Sequence, residues 1–200
     1  LEQRDARLEK MLAELEQAKL ELEVRVAERT SELRASNQDL QSEVAERINI
    51  QAALDVQLRL QRGVAEFSKT LLQDSQRGGG VEPALHHLLA AADASRVYVF
   101  INHIDPELGR VMERTHEVCR AGVSRQLDEN SQHQRIAYDP VFTSWWEALS
   151  TGDIIQTPVA DLPVPQQAHL ADQGVLSLLA LPIFVEQRFA GFIGFDHCTR

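Results

Sequence analysis

The hydrophobic positions of the chain follow different rules on either side of residue 62. Before it, apolar side chains recur at seven-residue spacing among Glu, Arg, Gln and Ala. One line runs Leu1, Leu8, Leu15, Leu22, and a second runs Leu12, Lys19, Val26, Leu33, Leu40, Arg47, Leu54. Interleaved lines of this kind are the a and d positions of a coiled coil, so the spacing predicts one continuous helix with a partner along its seam. No Gly or Pro occurs up to residue 62, whereas all ten glycines and all seven prolines follow it. Strong helix formers without a breaker give a rod of roughly 90 Å at about 1.5 Å per residue. Glu21 with Arg25, and Glu43 with Arg47, add i,i+4 pairs on its surface.

The first line then breaks down. Continued, it reads Arg29, Ser36, Glu43, Ile50, and the apolar character passes to Val44 and Leu58. A shift of about four residues is a stutter. Two readings stay open. Polar seam residues can fix register and oligomeric state, or two nearly equivalent registers can make the coil bistable, able to pass a rotation or slide along its length.

Beyond residue 62 the pattern becomes that of a small α+β domain. Val64, Phe67, Leu71 and Leu72 keep helical spacing until "RGGG", Arg77 to Gly80, ends the helix, and a second helix is predicted over Val81 to Ala92. "SRVYVFINHI", Ser95 to Ile104, is β-branched and aromatic, and "DPELG" turns it back into "RVMERTHEVC", Arg110 to Cys119. Strict alternation in the second run puts Val111, Glu113, Thr115 and Glu117 on one face and Met112, Arg114 and His116 on the other, which reads as a β-hairpin. The long stretch Ala121 to Pro163 holds a short helix, "PVFTSWWEAL", and a short strand, "GDIIQT". Long loops of this kind are functional or packed over a site. "VPQQAHLADQG" has Pro near a helix start and Gly past its end. "SLLALPIFVEQRFAGFIGFD" then gives two apolar runs around Glu186-Gln187-Arg188. The first is apolar on both faces, which predicts a central strand with a bulge at Pro182.

Composition narrows the partners. A net charge of -10 with bases interleaved among acids argues against a nucleic-acid surface. The longest apolar run, Val175 to Val185, is too short for a membrane span, and the charged start is no signal peptide, so a cytoplasmic chain without membrane contact is expected. Cys119 and Cys198 have no CxxC partner and read as inert thiols in a reducing compartment. The start at Leu1 without methionine reads as a piece of a longer polypeptide.

Two resemblances follow from these residues. "ELEVRVAERTSELRASNQDLQSEVAERINIQAAL", Glu21 to Leu54, resembles the signalling helix that joins sensor to output domains in bacterial two-component and cyclic-dinucleotide proteins. The likeness makes Glu28, Arg29 and Thr30, with the polar seam residues Ser36 and Glu43, the candidate transmission element. "ASRVYVFI", "GDIIQTPVADLP", "QGVLSLLALPIF" and "FAGFIGFD", in that order, resemble a GAF domain. Gly191 and Gly194 match small residues of its last strand, while Glu186-Gln187 stands where the preceding hairpin often has a glycine. The resemblance implies an antiparallel sheet flanked by helices over residues 63–200; the seven-spaced leucines before it predict a parallel homodimeric coiled coil over 1–62. It also implies a sensor or dimerisation module of a histidine kinase or diguanylate cyclase, with an output domain in the same polypeptide.

A GAF-like module implies an enclosed small molecule. Candidate lining residues are Phe100, Asn102, Met112 and Arg114 from the sheet, with Trp145 or Trp146 above it. The Asn-Lys-x-x-x-Phe-x-x-x-Asp-Glu pattern of cyclic-nucleotide binders is absent. A bilin is set aside because neither cysteine has the expected surroundings, and haem because His103 and His116 are lone strand histidines. The ligand's identity stays unknown, and no metal is expected. Catalysis is not expected either: "RGGGVE" lacks the flanking strand and Lys-Ser/Thr of a phosphate loop, and no GxSxG, HExxH, phosphoacceptor or cyclase motif occurs. The readings carried forward are a sensory, signal-transmitting module and a ligand-free dimerisation scaffold.

Overall fold

The computed structural model describes residues 2–77, 80–129 and 134–198. Leu1 of the first seam line and Gly78 and Gly79 of the predicted helix break lie outside the described residues. The chain divides into two compact units, residues 1–56 and 57–200. A single helix, α1 (Glu2–Arg77), contains the whole predicted coil and the helical pattern that follows it. Its seam faces solvent in the single chain. Leu15 is 68% exposed and Leu22 60%, large apolar side chains that a lone helix has no means to bury. The expected pair between Glu43 and Arg47 is present at 2.6 Å. Among the described residues no helix is long and apolar enough to cross a membrane.

In the second unit the last turns of α1 lie against α2 (Glu82–Ala91). Gly63 makes this possible, because a Cβ there would sit 2.2 Å from Ala91 Cβ. Farther along, Phe67 joins the core beneath α2, and Thr70 Oγ1 lies 3.2 Å from His87 Nε2. The strands are β1 (Arg96–Asp105), β2 (Gly109–Cys119), β3 (Arg135–Ala137), β4 (Ile155–Pro158), β5 (Val175–Val185) and β6 (Arg188–Cys198). They form one antiparallel sheet in the order β3-β2-β1-β6-β5-β4. α2 and the end of α1 cover one face through Leu85, Leu89, Val97, Val99 and Val118. The opposite face is roofed by α3 (Gln126–Glu129), α4 (Thr143–Thr151), a 3-10 turn (Val159–Asp161) and α5 (Val164–Ala171). Tyr98, Phe100, Met112, Trp145, Leu178 and Phe192 are among the core residues on that side. The α+β architecture with its long N-terminal helix is as the pattern predicted.

Three strand expectations are corrected. β5 is next to the edge rather than central; β1 and β6 occupy the middle, and the first five residues of β1 are buried on both faces. Pro182 pairs in register with Phe192, and the bulge falls one step later, between Ile183 and Phe184. The proline is tolerated because the β4 ladder stops at Ile155↔Ala180, so beyond that point β5 has a free side where a missing N–H breaks no ladder. Strict alternation in β2 also fails. Val99 pairs with His116 but Phe100 pairs with Arg114, so Thr115 is looped out as a bulge. The extra residue moves Glu117 to the face that carries Arg114 and Met112.

The β5–β6 connection is a two-residue turn with both residues left-handed, Glu186 at φ 50° and Gln187 at φ 64°. A type I′ turn of this kind suits the twist of the strands but favours Asn-Gly. Replacing Glu186→Asn and Gln187→Gly therefore raises unfolding free energy by about 1 kcal/mol, to be read from urea denaturation; an unchanged or lower midpoint contradicts the strain.

Candidate functional site

The bulge gathers four charges on the roofed face. Arg96, Glu117 and Asp196 are at most 1% exposed and Arg114 is 5% exposed. Buried charges persist only if paired and hydrogen-bonded, and here each finds its partners across β1, β2 and β6. Arg96 donates from Nε and Nη2 to Asp196 Oδ2 at 3.0 and 2.9 Å, while Tyr98 Oη donates to Oδ1 at 3.0 Å. Arg114 Nη1 donates to Glu117 Oε1 at 2.9 Å, and Arg96 Nε lies 3.6 Å from that oxygen. Residues three apart on a regular strand point to opposite faces, so only the bulge at Thr115 allows the Arg114–Glu117 bond. Gly194 clears room for the Tyr98 ring, which a Cβ there would meet at 2.2 Å.

The cluster also ties down the roof. Glu117 Oε2 accepts from the Leu127 backbone N–H at 2.6 Å, in α3. Arg114 Nη2 donates to Gln173 Oε1 at 3.2 Å, just beyond α5. Burial raises the Asp196 carboxyl above its ordinary range against the opposing pull of Arg96 and Arg114. Burial likewise raises Tyr98 well above the usual phenol, which keeps it a hydrogen-bond donor.

Beside this charged wall is an aromatic cleft lined by Phe100, Met112, Arg114, Phe142, Trp145 and Phe192, among others. Phe100 and Phe192 stack at 5.0 Å, and the Arg114 guanidinium sits 4.7 and 5.1 Å from the Tyr98 and Phe100 rings. The free volume is about 20 Å³, enough for one water, so a larger guest enters only if the roof moves. Four of the six candidate lining residues, Phe100, Met112, Arg114 and Trp145, meet here. Trp145 is anchored by its Nε1 donating to Gln166 Oε1 at 3.1 Å. Asn102 instead accepts from Tyr138 Oη at 2.7 Å, and Trp146 packs on Tyr138, Phe189 and Arg110. The sequence reading missed Arg96, Glu117, Gln173 and Asp196.

The candidate transmission residues all lie on α1. Arg29 Nη1 donates to Glu32 Oε2 at 2.9 Å, and Thr30 Oγ1 donates to the Val26 carbonyl at 2.7 Å, a back-bond that bends helices slightly. Glu28, Ser36 and Glu43 are exposed. His103 faces Glu113 at 3.6 Å and His116 bonds Thr115 at 3.0 Å. Among the described residues no three His, Cys, Asp or Glu side chains converge as a metal site.

The model of the GAF domain matches residues 81–200, and the chain belongs to that family. A curated relative, the methanogenesis regulatory histidine kinase FilI of Methanothrix harundinacea, is 36% identical over 143 residues, which cover 71% of this chain. The match spans 16% of that protein's length. Solved structures of the same fold include the far-red absorbing dark state of JSC1_58120g3 with bound biliverdin, at a TM-score of 0.54 and 10% identity, covering 70% of this chain and 83% of that one. Another is the chromophore-binding domain of the Stigmatella aurantiaca bacteriophytochrome, at 0.52 and 10%, covering 73% and 52%.

These structures overturn one expectation. A bilin was set aside for want of a suitable cysteine, yet the fold of this chain is one in which biliverdin is held, so the missing motif does not dismiss that class of ligand. The two thiols themselves are half-buried. Burial, then the nearby Glu117 charge, push Cys119 up to about 12, and burial also raises Cys198.

Two outcomes follow. Asp196→Ala strands Arg96 and costs about 3–5 kcal/mol, whereas Arg96→Met with Asp196→Leu recovers most of it; denaturation of the single and double variants measures both. At pH 8 iodoacetamide alkylates Cys119 roughly a hundredfold or more slowly in the folded chain than in urea, by peptide mass mapping; equal rates contradict the raised thiol.

Proposed function

We propose that this chain is a sensory and signal-transmitting segment of a larger signalling protein. Its GAF domain takes a small molecule under the roofed face, and α1 relays the resulting change to or from an output domain in the same polypeptide. The likeness to a regulatory histidine kinase at 36% identity, across 71% of the chain, carries this reading. That relative supports a histidine kinase as the output, and we read the segment itself as non-catalytic and cytoplasmic.

The relay rests on a parallel homodimer. Seven-spaced leucines left facing solvent need an identical seam to cover them, and parallel pairing sets both sensory domains at the same end of the rod. Between the leucines, Arg29, Ser36 and Glu43 stand where apolar layers would otherwise lock one register. The GAF domain supplies the bias and the coil supplies two states of similar energy, which is what transmission over distance requires.

Sedimentation velocity finds the chain dimeric, and Leu15→Lys with Leu22→Lys dissociates it; a tight monomer in the unaltered chain overturns the coil. In the intact protein, Arg29→Leu, Ser36→Leu and Glu43→Leu together raise the melting temperature and flatten the response to stimulus. Couplings of this type are about 1–3 kcal/mol, less than three new apolar layers supply. A raised melting temperature with an unchanged response rules out the relay.

A further inference from the structure

We propose that the cleft beside the buried ion cluster binds a flat aromatic molecule bearing one carboxylate, which docks on the Nε and Nη2 edge of Arg114 in place of Gln173. The inference rests on the sensory reading above and gives its ligand a chemical class.

The guanidinium of Arg114 has two usable edges. One end is committed, with Nη1 donating to Glu117 Oε1 at 2.9 Å. The side-on fork formed by Nε and Nη2 matches the two oxygens of a carboxylate. The cluster shows the same edge engaged by a carboxylate, since Arg96 turns its own Nε and Nη2 to one oxygen of Asp196, Oδ2, at 3.0 and 2.9 Å. On Arg114 the fork is half used. Nη2 holds the neutral amide oxygen of Gln173 at 3.2 Å, and Nε, buried, has no hydrogen-bond partner among the described residues. An orphaned donor on a buried cation costs free energy in full. A carboxylate supplies two charge-assisted bonds where one long neutral bond now stands.

The ring that carries the acid is specified by the walls. Phe100 and Phe192 lie nearly parallel, 20° apart and 5.0 Å between centroids, with Trp145 6.1 Å from Phe192 on the roof side. Flat aromatic surface facing a cation edge selects a flat aromatic acid over an aliphatic one. Entry requires Gln173 to yield. Its amide nitrogen holds the His169 carbonyl at 3.2 Å at the end of α5, so releasing the oxygen end removes one tie between the roof and the sheet. Arg96 and Arg114 already face Glu117 and Asp196, so the added charge is shared and affinity is modest, which sets the probe concentration.

The test is calorimetric melting of the whole chain with benzoate, benzamide and acetate, each at about 10 mM. Benzoate raises the melting temperature by roughly 2–4 °C, while benzamide and acetate do not. Gln173→Ala vacates the fork and enlarges the benzoate shift. Gln173→Glu fills the fork from within and abolishes the shift without lowering the melting temperature. A merely structural Gln173 would lower stability in both variants and leave the benzoate response alone. Equal shifts from benzamide and benzoate, a shift that survives Gln173→Glu, or no benzoate shift overturn the inference. A benzamide shift alone would leave the sensory reading standing with a neutral ligand, and the dimer and relay measurements decide that reading separately.

Discussion

Two arginines and two carboxylates buried on one face of a sheet must neutralise one another, because leaving any of them unpaired costs several kcal/mol. The rest of the GAF domain is arranged around that requirement. Arg96 and Asp196 lock β1 to β6, Arg114 and Glu117 lie on β2, and Tyr98 closes the ring. The same groups reach outward to Leu127 in α3 and Gln173 after α5, so the segments over the cleft hang from the charges beneath them. Replacing such a cluster by packed hydrophobics is often neutral or stabilising. Its retention is better accounted for by what it positions than by stability.

Much of this fold was legible because it follows simple periods. Heptads gave the rod, a β-branched and aromatic run gave β1, two apolar runs gave β5 and β6, and Gly174 after α5 marked a helix end. What was hidden depends on one residue. Thr115 looks like any other member of an alternating strand, and nothing local in "MERTHEV" announces a bulge. Without it Glu117 falls on the wrong face, and the ion cluster with Arg96 and Asp196, about a hundred residues apart, stays invisible. Phe100, Met112, Arg114 and Trp145 were found because alternation holds on the near side of the bulge and because adjacent tryptophans on a helix must diverge. Asn102 shares their face but is drawn to Tyr138, a partner that spacing cannot reveal. The dismissal of a bilin failed for another reason: it rested on one attachment residue, while a solved structure of the same fold holds biliverdin.

α1 sets the domain a contrasting problem. The sheet hides its charges and satisfies nearly all of them, while the helix displays apolar side chains it has no means of covering alone. Gly63 is where the two regimes meet, the first glycine in the chain and the point at which the helix comes close enough to α2 to share a core with the domain. Upstream of it, the seam leucines from Leu8 to Leu54 lie exposed in the single chain.

The outermost strands bear on how copies of the protein avoid one another. β3 has three residues and β4 four, too short to template an incoming strand, and the stretch of β5 that runs past β4 carries Pro182, which has no N–H to offer. At those strands, among the described residues, a neighbouring molecule finds no long ladder to extend. At those two strands the sheet is blunted against fibre-like stacking.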